Sequence, residues 1–193
     1  MMNNYLPKIT NEEIKQFPLR CFEGKIYVIE SEANLDQIIN KIESSDVLGF
    51  DTETKPSFKK RVKNNVSLLQ LSTSNDVFLI RLNKTGISKR LAKILENQNI
   101  LKIGVAIKDD IKSLQKIRSF IPEGFIDLQS YVKDFGIENN GLKKLAAIVL
   151  KFRISKNQQT SNWDNEVLTE SQIKYAATDA WVCYEIYKKL NHN

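Results

Sequence analysis

Two acidic patterns, Phe50-Asp51-Thr52-Glu53 and Tyr175-Ala176-Ala177-Thr178-Asp179, hold the side chains of this sequence best suited to chemistry. Alternate residues of a strand share a face, so Asp51 and Glu53 point the same way. Residues four apart on a helix stack, so Tyr175 and Asp179 lie side by side. A third acidic site follows at Asp109-Asp110. A buried carboxylate needs a cation, a hydrogen-bond network or a proton. On the last helix alone a structural ion pair is the simpler account, and a DxE pair alone reads as a solvated strand end. Three acidic sites on three elements, each beside an apolar run, would gather about four negative charges. Divalent ions with oxygen ligands, Mg²⁺ or Mn²⁺, neutralise such a cluster economically. A pair of them about 3.5–4 Å apart can clamp both the attacking and the leaving oxygen of a phosphoryl transfer.

The elements that must position these groups follow from hydrophobic spacing. Residues 1–24 carry Pro7 and Pro18 and read as an arm or short helix laid over a domain spanning 25–193. Strands are expected at 25–29, 47–53, 66–71, 77–82, 100–105 and 125–128. The second is apolar on both faces until its carboxylates appear, as befits a central strand. Ser72 to Asp76 has hairpin-turn chemistry. Helices are expected from Leu35 to Ile42, Ile87 to Glu96, Ile107 to Ile117, onward through Tyr131, and from Gly141 to Leu150. Residues 151–162 read as an ordered polar loop. The final helix starts at Thr169, where Thr169 and Gln172 form a capping-box pattern. Its wet face is expected to be Lys174, Thr178, Glu185 and Lys188; Tyr175, Asp179, Val182, Cys183 and Ile186 face inward. One α/β domain on a mixed sheet accounts for this order.

Composition sets the bounds. The 193 residues are 41% hydrophobic and 27% charged, with a net charge of +6. That is globular composition with a moderate attraction to polyanions. Cys21 and Cys183 have no CxxC partner and read as reduced, packed thiols; a structural zinc site lacks histidines, since His192 is the only one. The start has no signal-peptide pattern, and the longest aliphatic run, Leu145 to Leu150, is too short to span a bilayer. The expectation is a soluble, cytoplasmic protein with no membrane partner.

The order FDTE, GVAIKDD, LTESQIKYAATDA resembles the DEDD superfamily of 3′→5′ exonucleases, specifically its tyrosine-containing branch, which is similar to the Werner syndrome exonuclease domain and ribonuclease D. Val66 to Ser72 and Ser161-Asn162-Trp163 support the resemblance, which spans about residues 25 to 190. It implies a ribonuclease H-like mixed β-sheet flanked by helices. It implies as metal ligands Asp51, Glu53, Asp110 and Asp179, with Asp109 the competing choice for the second motif, and Tyr175 as the residue that orients the attacking water. Two ions, Mg²⁺ or Mn²⁺, are implied: one on Asp51, Glu53 and Asp179, the other on Asp51 and, through water, Asp110. The histidine-containing sister branch does not fit, because His192 is penultimate. The expected reaction releases nucleoside 5′-monophosphates from a free 3′ end, of DNA first. RNA trimming is the alternative, disfavoured by the lack of a helical domain after residue 190. A non-catalytic binding module is a further alternative, against which all carboxylates are retained. A separate helicase or repair partner is compatible with the resemblance.

Other candidates carry two readings each. Thr52, Lys55, Phe58, Lys59, Lys60 and Arg61 form or border a basic loop after Glu53 that either guides a phosphate backbone or is simply solvated. Phe58 either stacks on a base or covers the sheet edge. Trp163 reads as an anchor for the last helix, Gln70 and Leu71 as sheet residues, Asp127 as a helix cap, and Lys143 and Lys144 as surface.

Overall fold

The computed structural model describes residues 5–56 and 64–191. Six strands form one mixed sheet in the order β1-β4-β3-β2-β5-β6. They are β1 (Lys25–Ile29), β2 (Val47–Thr54), β3 (Val66–Ser72), β4 (Asp76–Ile80), β5 (Leu101–Gly104) and β6 (Phe125–Asp127). β3 runs antiparallel to both its neighbours, β4 and β2; β1 runs parallel to β4, and β5 and β6 continue parallel to β2. The helices are α1 (Asn11–Lys15), α2 (Glu32–Glu43), α3 (Leu82–Thr85), α4 (Lys89–Glu96), α5 (Lys108–Ile117), α6 (Leu128–Tyr131), α7 (Leu142–Leu145) and α8 (Glu170–Asn191). This is the ribonuclease H-like arrangement that the sequence led us to expect. No helix among the described residues is long and apolar enough to cross a membrane.

Every residue of β3 is buried, because both faces of the sheet are covered. One face packs Phe50, Leu69 and Leu71 against Leu35 and Ile39 of α2, Leu91 of α4 and Leu114 of α5. The other face lies under α8, where Leu68 meets Trp163, Ala176 and Ala177, and Ile103 meets Val182 and Ile186. Gly49 lets α8 approach β2: a Cβ there would lie 1.9 Å from the Ala180 carbonyl oxygen. α8 begins with the anticipated box, Gln172 N–H donating to Thr169 Oγ1 (3.2 Å) and Thr169 N–H to Gln172 Oε1 (3.0 Å). The hairpin turn is closed by Thr73, whose hydroxyl accepts from Asp76 N–H at 3.0 Å.

Three expectations need correction. The strand expected to reach Leu82 stops at Ile80, since the carbonyl of Arg81 accepts from Lys84 and Thr85 and starts α3. The helix expected from Gly141 to Leu150 is a short α7 followed by a π-helical stretch, Ala146–Leu150, ended by Lys151 at φ +60. Thr178 is not on a wet face. The segment before β1 lies over it, and Phe22 N–H donates to Thr178 Oγ1 at 3.1 Å. Ile9, Ile14 and Phe22 of that segment are buried.

Two buried cations hold connections in place. Arg81, wholly buried, donates to Glu30 Oε1 (3.0 Å) and to the carbonyls of Asn165 and Glu166, tying the loop before α8 to the β1 end of the sheet. Lys102, equally buried, donates to the carbonyls of Ile94 and Asn97, closing the C-terminus of α4. Burial pushes its pKa down to about 8.

Candidate active site

Asp51 and Glu53 leave the end of β2 on the face covered by α8, and Asp179 comes down from α8 to meet them. One carboxylate oxygen from each lies within 4.8 Å of the others. Asp110, in the first turn of α5, reaches the strand end from the side and accepts the Thr52 hydroxyl at 2.5 Å. Its charge is felt at both Asp51 and Glu53. Asp109 instead points outward, its side chain 89% exposed and 3.4 Å from Lys112. Of the two acids in the second motif, then, the fold brings Asp110 to the cluster.

The approach of α5 is set by a strained turn. Ala106 has φ +60, and Asp127 Oδ1 accepts its N–H at 3.0 Å while also capping α6 through Gln129 N–H at 2.9 Å. The capping expected of Asp127 is found, and the same carboxylate holds the turn that aims Asp110. On α8, Tyr175 and Asp179 stand one turn apart, and the phenol and the carboxylate influence each other's ionisation. Trp163, wholly buried, packs against the Tyr175 ring with centroids 6.1 Å apart, which fixes the phenol's position.

Burial and mutual repulsion disfavour charge in this cluster. Glu53 is pushed up to about 10 by burial and then by Asp51, Asp179 and Asp110. Asp179 is pushed up to about 7 by burial, partly offset by the Tyr175 hydrogen bond and by Lys156. Asp51 is raised well above the usual carboxylate range by burial, then by Asp179 and Asp110. Asp110 is raised by burial, against the Thr52 hydrogen bond. The Tyr175 phenol is raised by burial and by Asp179 and Glu53, so it stays protonated and acts as a donor. Cys183 faces the same cavity as a thiol whose pKa burial drives up. The clustered donors are carboxylate oxygens, which fit Mg²⁺ or Mn²⁺.

The cluster lines a cavity of about 300 Å³ together with Lys143, Lys156 and Gln159. These three were not singled out from the sequence for the site: Lys143 read as surface and the others as loop. The one available signal was position, since Lys156 and Gln159 directly precede Ser161-Asn162-Trp163. Thr52 lines the cavity with its hydroxyl already engaged by Asp110. Lys55 is exposed at the border, 4.0 Å from Asp164. Phe58, Lys59, Lys60 and Arg61 lie outside the described residues, as does His192.

A family profile described as 3′-5′ exonuclease matches residues 26–193, and the chain belongs to that family. The mouse bifunctional 3′-5′ exonuclease/ATP-dependent helicase WRN is 32% identical over 163 residues, covering 81% of this chain and 12% of that protein. The solved Nibbler EXO domain of Aedes aegypti is 29% identical with a TM-score of 0.77, covering 91% of this chain and 93% of that one. Escherichia coli RNase D shares the fold, with a TM-score of 0.78 at 22% identity over 87% of this chain and 44% of its own. The chain spans from 12% to 48% of the length of the first curated relatives it matches.

Proposed function

We propose that this domain is a metal-dependent 3′→5′ exonuclease that removes nucleoside 5′-monophosphates one at a time, with DNA as its first substrate. The observation that carries the reading is the convergence of Asp51, Glu53 and Asp179 oxygens within 4.8 Å, with Asp110 at the strand end. The likeness to an exonuclease joined to a helicase favours a strand freed from a duplex. Two divalent ions held by Asp51, Glu53, Asp110 and Asp179 would neutralise the cluster, acidify the attacking water and stabilise the departing 3′ oxygen.

The chain's own groups do the rest. Tyr175, protonated and packed on Trp163, has a single O–H, which it donates to the attacking water once Asp179 is taken up as a metal ligand. Lys143 and Lys156 line the same cavity as the carboxylates, where they can receive strand phosphates.

The deciding assay uses 5′-labelled single-stranded DNA, recessed-duplex DNA and RNA with Mg²⁺ or Mn²⁺. A ladder growing shorter from the 3′ end, and stopped by EDTA, is expected. Cleavage of RNA in preference to DNA would reassign the substrate, and internal cuts or chelator-resistant activity would overturn the mechanism. Tyr175→Phe should lower kcat by about 10²-fold, the scale of a lost transition-state donor, while Mn²⁺ affinity by calorimetry stays unchanged. Lys143→Ala and Lys156→Ala should each raise KM more than they lower kcat. Each should also reduce the salt dependence of binding by about one counterion.

A further inference from the structure

Gln70 lies in the middle of β3, wholly buried, and among the described residues neither its amide nitrogen nor its amide oxygen has a hydrogen-bond partner. A buried polar group left unsatisfied costs about 1–3 kcal/mol, so an apolar residue would serve the core better there. Its position explains the choice. In the β2–β3 ladder Gln70 stands directly opposite Asp51, and opposed residues of an antiparallel pair project from the same face with Cβ atoms about 4.5–5.5 Å apart. On that face the ladder runs Leu68 opposite Glu53, Gln70 opposite Asp51 and Ser72 opposite Gly49. Asp51 Oδ1 already accepts the Thr52 N–H at 2.9 Å. Lys143 and Lys156 line the same cavity, but neither is among the groups that shift Asp51. The one polar group directly opposite Asp51 within the sheet is thus an amide with a free donor.

Resting on the metal-bound reading above, we propose that Gln70 is a positioning residue for Asp51. Its side-chain N–H₂ donates to the Asp51 carboxylate when divalent cations load the cluster, fixing which oxygens face the ions. Asp51 is the ligand for which this matters most, since it is the one carboxylate expected to serve both ions. Hydrogen bonds behind a ligating carboxylate orient it, and their loss typically weakens metal binding by about 10–100-fold.

Ser72 is the internal control. It is on the same strand and face, equally buried and equally unpartnered, yet stands opposite Gly49, which offers no side chain. Mn²⁺ titration by calorimetry of wild type, Gln70→Met and Ser72→Ala, with melting temperatures in EDTA, separates the roles. Gln70→Met should weaken Mn²⁺ binding at least about tenfold, and Ser72→Ala should leave it within twofold. If Gln70→Met melts higher than wild type and binds Mn²⁺ equally well, Gln70 is an unpaired core residue and the inference falls, with the exonuclease reading intact. A wild type that takes up no Mn²⁺ overturns that reading, and this one with it. Should Gln70→Met not fold, the wild type still decides: the Gln70 side-chain N–H₂ resonances must shift and gain exchange protection on adding Mg²⁺, and unchanged resonances overturn the proposal.

Discussion

Replacing Asp51 with Asn should give a protein that no longer shortens a labelled strand yet melts at a higher temperature than wild type in EDTA. The expected loss of activity is about three orders of magnitude, roughly 4 kcal/mol of barrier lowering. The gain in stability comes from the same charges. Without cations, Asp51, Glu53 and Asp179 crowd within 4.8 Å, and the fold can tolerate this only by retaining protons. Glu53 is raised from 4.5 to about 10 and Asp179 from 3.8 to about 7. Between those limits the folded state binds more protons than the unfolded chain, so stability falls as pH rises. The cluster's contribution is fully present below about pH 4, declines through about 7 as Asp179 ionises, and declines again toward 10 with Glu53.

The gap in melting temperature between Asp51→Asn and wild type should therefore widen from pH 5 to pH 9 in EDTA. For a domain of this size each kcal/mol is worth about 2–4 °C. Saturating Mn²⁺ should reverse the order, since only the wild type keeps the central ligand, and binding stabilises in proportion to RT ln(1 + [L]/Kd). Scanning calorimetry at three pH values, with and without Mn²⁺, reads all of this. A gap that is constant with pH would mean that Asp51 is not coupled to its neighbours, and the cluster would lose its electrostatic basis.

Much of the cluster was legible because strand and helix periods are local rules. The DxE spacing put Asp51 and Glu53 on one face, and the Tyr175–Asp179 spacing put phenol and carboxylate one turn apart. Their convergence depended on the resemblance, since nothing in either segment says where the other lies. What stayed hidden was long-range. Lys102 and Arg81 fall inside expected strands, but nothing local names the partners that let a cation be buried there: the backbone carbonyls of Ile94 and Asn97 for one, and of Asn165 and Glu166 for the other. Thr178 looked solvated because its cover comes from Phe22, 156 residues away in sequence. Asp109 and Asp110 were adjacent and indistinguishable by pattern. The turn at Ala106, held by Asp127, is what directs Asp110 inward and leaves Asp109 in solvent.

Gly49→Ala should be the most damaging substitution of a residue that touches no substrate. The added Cβ would sit 1.9 Å from the Ala180 carbonyl oxygen and 2.5 Å from Ser72 Oγ. A hydroxyl can rotate away, but the carbonyl belongs to the hydrogen-bonded backbone of α8 and can move only if the helix moves. Overpacking of this kind costs about 1–3 kcal/mol, or about 2–12 °C in melting temperature for a domain of this length. The functional loss should be larger than the stability loss suggests, because Asp179 is the residue beside Ala180. Displacing α8 from β2 pulls Asp179 away from Asp51 and Glu53 and moves Tyr175 with it. A misplacement of about 1 Å can cost about 10²-fold in rate. Gly141→Ala supplies the stability control, since a Cβ there meets nothing within 4 Å and its φ is an ordinary −93. Adding Ser72→Ala to Gly49→Ala separates the two obstacles. If the backbone of α8 is the true barrier, relieving the hydroxyl restores neither melting temperature nor Mn²⁺ affinity. Full rescue by Ser72→Ala would instead mean that the helix is free to shift, and that the close approach at Gly49 does not set the spacing of the carboxylates.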